Sequence, residues 1–138
     1  MDVRPYQEKD RAGLIALWTE VFTVSSPHHD PETSLDKKLR VDPDLLFVAV
    51  MDGNVVGSVM GGYDGHRGWI YSVAVTPSLR RRGIASILMR EVEAELRERG
   101  CIKVNLQVES DNAEVVPLYE SLGFRVEGRI SMGKKLYE

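Results

Sequence analysis

The chain has 138 residues, about one domain's worth, and its 43% hydrophobic and 28% charged residues are typical of a globular protein. A net charge of -3 argues against a general nucleic-acid binder, and the longest apolar run, Leu45–Met51, is too short to span a bilayer. Because Cys101 is the only cysteine and the N-terminal sequence is polar, we expect one cytoplasmic domain, residues 1–138, that binds neither nucleic acid nor a membrane.

The first third of the sequence combines strand and helix patterns with a proline-rich loop. Val3–Pro5 is predicted as an opening strand, and apolar residues at helical spacing predict an amphipathic helix over about Asp10–Phe22. Ser25–Pro31 is predicted as a loop, because two prolines interrupt regular structure. Thr33–Arg40 follows as a short predicted helix, capped by one of its first two residues.

Three consecutive strands are predicted in the middle of the chain. They cover Leu45–Met51, Val55–Tyr63 and Trp69–Val75. Asp52-Gly53-Asn54 is a strong tight-turn signal, so the first two strands should be antiparallel neighbours. Pro77 ends the third strand, because proline cannot donate to a ladder.

The pattern then changes from strand period to helix period. Apolar residues between Ile84 and Leu96 follow the helical repeat, and Gly100 supplies a left-handed stop. Ile102–Val108 alternates strictly between apolar and polar residues, which predicts a strand with one buried face. Strand, helix and strand between Trp69 and Val108 therefore form a crossover unit.

The C-terminal part is predicted to contain one more helix and two closing strands. The helix begins at Asp111 or Asn112 and ends at Gly123, and the strands cover Phe124–Ile130 and Met132–Tyr137. The sequence as a whole predicts a single α/β domain. Its central sheet is mixed and mostly antiparallel, with six to seven strands and about four helices.

The segment Arg80–Ala85 lies between the end of a strand and the start of a helix. The first N–H groups of a helix have no internal partner and carry partial positive charge, so this position suits an anion. A Walker loop is excluded because Ile84 follows Gly83, and the dinucleotide fingerprint requires three glycines where this loop has one. Physical reasoning alone leaves open a solvated basic turn.

Two ordered motifs resemble the GCN5-related N-acetyltransferase (GNAT) superfamily. Arg80-x-x-Gly83-x-Ala85 is similar to its Arg/Gln-x-x-Gly-x-Gly/Ala signature and follows a strand as expected. A second block, Asn112–Phe124, is similar to the downstream family segment, and the resemblance covers about Leu45–Val126. The glycine-rich stretch Gly61–Gly68 looks like that of the YpeA-like bacterial branch.

This resemblance implies the GNAT acyl-CoA N-acyltransferase fold and acetyl-CoA as cosubstrate. Backbone groups of Val73 and Val75 would pair with the pantetheine arm, and the Val73 amide would polarise the thioester carbonyl. Asn112 would hydrogen-bond the same cosubstrate. The pyrophosphate would be held by the loop residues Arg80, Arg81, Arg82, Gly83, Ile84 and Ala85.

Tyr119 is the residue for which the resemblance implies catalysis, as the general acid that protonates the CoA thiolate. The alternative is a tyrosine that packs the inner face of its helix. The acceptor amine must also lose a proton before it can attack. The sequence leaves that base open among Tyr71, Glu109, Asp64 and His66.

The acceptor is expected to be a small-molecule or peptide amine. The resemblance suggests that Trp18, Phe22 and the loop containing His28-His29-Asp30 shape its pocket, although Trp18 and Phe22 also fit a core. Two adjacent histidines rarely converge on one ion, so no metal is expected. The alternative function is a non-catalytic acyl-CoA-binding module of the same fold, and a homodimer is left open.

Overall fold

The computed structural model describes residues 1–22 and 30–137, which form two compact units, Met1–Gln107 and Val108–Glu138. The predicted pair His28-His29 lies outside the described residues. Among the described residues of the first unit there are five strands and three α-helices. They are β1 (Asp2–Pro5), α1 (Arg11–Val21), α2 (Pro31–Lys38), β2 (Leu46–Met51), β3 (Asn54–Tyr63), β4 (Gly68–Val75), α3 (Ile84–Glu98) and β5 (Val104–Leu106).

The five strands form one sheet in sequence order, β1-β2-β3-β4-β5. The first four are antiparallel neighbours, whereas β5 is parallel to β4 and is reached through α3. The predicted turn between β2 and β3 is confirmed, because Asp52 and Gly53 adopt φ of 51° and 78°. Two residues with positive φ form the turn whose twist matches a hairpin.

Helix α3 lies unusually close to one face of the sheet. A Cβ built on Gly61 would lie 2.7 Å from Val92 Cγ2, and one built on Gly57 would lie 3.0 Å from Leu88 Cδ1. Both distances are shorter than ordinary contacts, so glycine is needed at these strand positions. The buried apolar residues of α3 pack on this glycine-lined face.

Helices α1 and α2 cover the opposite face of the sheet. Their core is a cluster of fully or nearly fully buried side chains, namely Leu14, Leu17, Trp18, Leu35, Leu46, Val48 and Ala74. A buried hydrogen bond ties α1 to β3, because Trp18 Nε1 donates to Ser58 Oγ at 2.9 Å. Lys38 Nζ, at the end of α2, donates to the backbone oxygen of Gly61, and burial lowers the pKa of this lysine.

Helix α2 begins earlier than the sequence predicted. Asp30 is its N-cap and accepts a hydrogen bond from the Thr33 amide at 3.1 Å, with Pro31 at the start of the helix. The carboxylate satisfies an amide that has no partner inside the helix. Proline costs nothing in this position, because the amide it lacks would have been unpaired.

The second unit contains a short 3₁₀ segment, Ser110–Val115, followed by helix α4 (Val116–Ser121). The α-helix therefore begins later than the predicted start at Asp111 or Asn112, because Asn112 interrupts the segment with φ of -116° and ψ of 28°. The predicted stop is confirmed, since Gly123 has a left-handed φ of 97°.

The two predicted closing strands, Phe124–Ile130 and Met132–Tyr137, are wrong, so the described sheet has five strands rather than six to seven. Residues 124–137 contain no strand, and their alternating apolar side chains include Ile130 and Met132, each 91% exposed. An alternating pattern becomes a strand only when a neighbouring strand provides hydrogen bonds and packing. The described part of the second unit contains no strand that could act as this neighbour.

Candidate active site

Strands β4 and β5 pair over only three residues. Their register runs from Gly68 opposite Val104 to Ile70 opposite Leu106, where β5 ends. Strand β4 continues to Val75, so its edge from Tyr71 onward has no strand neighbour on that side within the described first unit. An exposed strand edge presents backbone N–H and C=O groups to any extended ligand that can pair with them.

A bulge distorts β4 at this open edge. The register with β3 shifts between Ser58 and Met60, which pair with Ala74 and Tyr71, so two residues of β4 lie opposite one of β3. Ser72, inside the bulge, has a φ of 52°. A left-handed serine is strained by about 1 to 2 kcal/mol, and strain of this kind concentrates at functional sites. The bulge turns the backbone of Ser72 and Val73 out of the regular ladder.

The backbone after β4 prepares the start of α3 for an anion. Arg81 and Gly83 both adopt a left-handed φ, of 65° and 81°, and Gly83 is the N-cap of the helix. No side chain caps this end, and the first helical hydrogen bond is donated by Ile87 to the Gly83 oxygen at 3.1 Å. The amides that precede Ile87 are therefore available to a ligand.

The side chains around this helix start leave the backbone accessible. A Cβ built on Gly83 meets nothing within 4 Å, so the surface above it is open. Ile84 is buried with only 3% exposure and anchors the helix to the sheet. Arg81 and Arg82 are exposed, and Arg80 Nε donates to the Val75 oxygen at 3.4 Å. Open backbone donors, a helix dipole and fixed positive charge together fit a phosphate group.

A separate polar pocket of about 460 Å³ lies between α1 and the β2–β3 turn. Its lining includes Lys9, Asp10 and Glu20, and Thr76 connects it to the segment after β4. Asp10 is already engaged by two hydrogen bonds from Arg4, at 2.7 and 2.9 Å. Two carboxylates, Asp10 and Glu20, are among its lining residues, so it is the poorer site for a phosphate.

Two of the candidate bases lie near the far end of β4. Asp64 Oδ1 accepts hydrogen bonds from the amides of His66 and Arg67, each at 2.7 Å, and these bonds lower the pKa of Asp64. Burial raises the pKa of Tyr71, with a smaller contribution from the charge of Asp64. A carboxylate with a lowered pKa accepts a proton less readily. A phenol with a raised pKa stays neutral near pH 7, so neither group is a good base there.

The second unit carries three of the candidate residues. Tyr119 is half-buried, its ring meets Phe124 edge to face at 6.0 Å, and burial raises its pKa. Its phenol therefore stays protonated at neutral pH, as a general acid requires. Asn112 is exposed, and its backbone N–H donates to the backbone oxygen of Glu109 at 2.9 Å. Glu109 is exposed and precedes the 3₁₀ segment.

Trp18 and Phe22, which were proposed to shape the acceptor pocket, both belong to the packing of the core. Trp18 is only 3% exposed and bonded to Ser58, so it is a core residue. Phe22 packs on the same core.

Among the described residues, no group of three or more His, Cys, Asp or Glu side chains could hold a metal ion. No helix in the described ranges is both long and apolar enough to cross a membrane.

Sequence reasoning missed the bulge at Ser72 and the pairing of Trp69 with Tyr71. These two rings stack with centroids 6.5 Å apart and planes 25° from parallel. Their spacing at alternate positions of a strand was the available signal, since such residues share one face of a sheet. The bulge left no comparable signal, because serine is not typical of a left-handed backbone.

Comparisons with known proteins agree on the family. The model of the acetyltransferase (GNAT) family matches residues 11–124. An acetyltransferase of Pectobacterium atrosepticum is 44% identical over 138 residues, which cover 100% of this chain and 97% of the relative. An uncharacterized N-acetyltransferase of Yersinia pestis is 43% identical over 136 residues, which cover 99% of this chain and 96% of the relative.

A solved structure supports the same conclusion at the level of the fold. AAC(6')-Iy in complex with the bisubstrate analog CoA-S-monomethyl-acetylneamine is 20% identical with a TM-score of 0.80, and the match covers 97% of each chain. The open edge of β4, the glycine-started α3 and the family match over most of the sequence are mutually consistent. This chain belongs to the acetyltransferase (GNAT) family.

Proposed function

We propose that this protein is an N-acetyltransferase that transfers the acetyl group of acetyl-CoA to an amine by direct attack in a ternary complex. The observation that carries the proposal is the start of α3, where uncapped backbone amides, an open Gly83 and exposed arginines meet. Full-length similarity to acetyltransferases supports the reaction class. The solved complex of AAC(6')-Iy with a CoA conjugate supports a CoA thioester as donor.

The proposed donor site uses main-chain groups. The amides of Arg81–Ala85 would hold the pyrophosphate, with Arg80 and Arg82 adding positive charge. Val73 and Val75 lie on the open edge of β4, where their backbone groups would pair with the amides of the pantetheine arm. From the second unit, Asn112 would contribute a hydrogen bond to the same cosubstrate.

The proposed chemistry needs two protein groups. The Val73 amide, which lies in the bulge, would donate to the carbonyl oxygen as negative charge develops there. The amine nitrogen forms a bond to the carbonyl carbon, and the bond from that carbon to sulfur breaks. Tyr119 would give its proton to the departing sulfur, so the products are the N-acetyl amine and CoA thiol.

The proton lost by the amine would pass to one of the four candidate bases, directly or through a water molecule. Asp64 and Tyr71 are poor bases for the reasons given above, and Glu109 and His66 are exposed. A water molecule at the open edge of β4 would serve as an equally simple carrier. The donor half of the reaction is therefore the part that the proposal specifies.

Two measurements test the proposed function. Acetyl-CoA at about 100 times its dissociation constant should stabilise the fold by about 2.7 kcal/mol, seen as a rise in melting temperature. CoA release in the presence of an amine panel should then identify acceptors. Tyr119→Phe should keep the acetyl-CoA shift and lower kcat by about 100-fold, since it removes only the acid.

Each negative result has its own meaning. A melting temperature that acetyl-CoA leaves unchanged would remove the α3 start as a donor site. A full shift without CoA release from any amine would favour the non-catalytic acyl-CoA-binding module. A Tyr119→Phe variant with unchanged kcat would return Tyr119 to a packing role against Phe124.

A further inference from the structure

The stacked pair Trp69 and Tyr71 forms an aromatic surface beside the open edge of β4. Tyr71 is 48% exposed although it is a large aromatic residue, and Trp69 is partly exposed. Their rings stack at 6.5 Å, which makes a continuous platform rather than two isolated side chains. The proposed donor site uses neither ring, so the platform needs a separate explanation.

The platform lies on the face of the sheet that α1 and α2 cover elsewhere. Tyr71 pairs with Met60, which packs against the α1–α2 core, and Trp69 pairs with Gly62. A Cβ built on Gly62 would lie 3.7 Å from Tyr71 Cε2, so the Tyr71 ring extends over this glycine. Helix α3 is on the other face, so it does not cover the platform.

The platform lies close along β4 to the proposed position of the reacting carbonyl. Tyr71 precedes Val73 by only two residues in β4, so the platform and the proposed carbonyl site are neighbours along this strand. Trp69 lies a further two residues away, toward the β3–β4 turn. A molecule whose amine reaches the carbonyl at Val73 would therefore lay its remaining atoms across the two rings.

A carboxylate stands at the far end of the platform. Both hydrogen bonds that fix Asp64 are accepted by Oδ1, and the residue is exposed, which leaves Oδ2 accessible to a ligand. Asp64 directly follows Tyr63, whose pair with Gly68 lies next to the pair of Gly62 with Trp69, and its charge also raises the pKa of Tyr71. Aromatic faces and a carboxylate share one preferred ligand, an organic cation.

We propose that this surface, formed by Trp69, Tyr71 and Asp64, binds a second positive charge on the acceptor, so that the enzyme prefers amines carrying two cationic groups. The inference rests on the proposed acetyl transfer and adds the class of acceptor to it. One amine reacts at Val73 while the other group, still an ammonium, lies over the rings and faces Asp64. The reacting nitrogen is uncharged when it attacks, so the surface holds only the group that does not react.

A binding experiment tests the surface without relying on turnover. Calorimetric titrations compare hexylamine, whose ammonium can occupy the surface, with 1-hexanol, an uncharged compound of the same length. They are made with the free protein and with the protein saturated with CoA, which cannot transfer an acetyl group. The wild-type protein should bind hexylamine about tenfold more tightly than 1-hexanol.

Four variants separate the parts of the surface. Asp64→Asn keeps an oxygen for the two turn hydrogen bonds but removes the charge, and Tyr71→Leu removes the aromatic face; each should reduce the preference about threefold or more. Tyr71→Phe keeps the face and should keep the preference. Asp52→Asn removes a charge from the exposed turn at the other end of β3 and should change nothing. Melting curves establish that each variant is folded.

Turnover gives a second reading. In matched pairs such as lysine amide and norleucine amide, the doubly charged member should have the higher kcat/KM, and Asp64→Asn should narrow that ratio. Equal binding of hexylamine and 1-hexanol, or equal effects of Asp64→Asn and Asp52→Asn, would overturn the proposal. Failure of acetyl-CoA to bind would instead count against the proposed function, because the titrations with free protein report on the aromatic surface alone.

Discussion

The two faces of the sheet are held by different kinds of contact. On the α3 face, strand glycines bring the helix so close that an added Cβ at Gly61 would collide with Val92 at 2.7 Å. On the α1–α2 face, a buried hydrogen bond from Trp18 to Ser58 and another from Lys38 to the Gly61 oxygen join helices to strand β3. The α3 face requires strand positions without side chains. The α1–α2 face requires that its buried polar side chains keep their hydrogen-bond partners.

This difference matches the two halves of the proposed reaction. The donor site lies at the start of α3 and is made of backbone groups, so its requirements are glycine and conformation. The proposed acceptor surface lies on the opposite face and is made of the side chains of Trp69, Tyr71 and Asp64. A site made of backbone tolerates changes of side chain, whereas a site made of side chains changes specificity with each substitution.

The largest effect is expected on the α3 face. Gly61→Ala should lower the free energy of unfolding by about 2 to 3 kcal/mol, because the new methyl group overlaps Val92 and the strand cannot move without disturbing Lys38. Urea unfolding measures the change. The double variant Gly61→Ala with Val92→Ala should be less destabilised than the sum of the two single changes.

The neighbouring glycine provides a matched control. An added Cβ at Gly62 would lie 3.7 Å from its nearest contact, Tyr71 Cε2, which is an ordinary van der Waals distance. Gly62→Ala should therefore change stability far less than Gly61→Ala. Equal losses at the two positions would mean that strand glycines act through backbone entropy rather than through the close approach of α3.

The helix start at which the donor site is proposed could be predicted from the sequence, because the signals for it are local. Arg80–Ala85 predicted an anion site at a helix start, and the structure has left-handed Arg81 and Gly83 there. The crossover through α3 and the mixed sheet were likewise predicted from periodicity and are confirmed. Glycine, proline and hydrophobic period act over a few residues, so each can be interpreted without knowledge of its partners.

The parts that were not predicted depend on distant partners. The stacking of Trp69 on Tyr71 and the bulge at Ser72 follow from the register between β3 and β4, which the sequence does not encode locally. Phe124–Ile130 has an alternating pattern but no neighbouring strand in the described part of its unit, so the prediction of a strand there was wrong. The roles of Asn112 and Tyr119 came from the family resemblance and remain proposals.

A smaller effect is expected on the α1–α2 face. Ser58→Ala should lower the free energy of unfolding by about 1 to 2 kcal/mol, because Trp18 Nε1 would be left buried without its acceptor. A double-mutant cycle with Trp18→Phe isolates the hydrogen bond. In the Trp18→Phe background, Ser58→Ala should have much less effect, whereas strictly additive losses would show that the bond contributes no net stability.

The smallest effect concerns Asp10, which precedes α1 and joins it to β1. Two hydrogen bonds from Arg4 and one from the Gln7 amide lower the pKa of Asp10 below its ordinary value of about 3.9. A lowered folded pKa stabilises the protein above the unfolded pKa, and this stability is lost as the pH falls through the folded value. We expect a small contribution because Arg4 is partly exposed and screened by solvent.

Urea unfolding of the wild type and of Asp10→Asn at pH 7, 5 and 3 measures that contribution. The amide oxygen of asparagine can still accept from Gln7, but it carries no charge for Arg4. The wild type should be the more stable protein at pH 7, and the difference should shrink toward pH 3. Asp52→Asn, in an exposed turn, should follow the wild-type curve. If the difference in the free energy of unfolding between wild type and Asp10→Asn stays constant with pH, Asp10 stabilises α1 through the geometry of its hydrogen bonds and not through its charge. The contacts on this face would then act as uncharged hydrogen bonds.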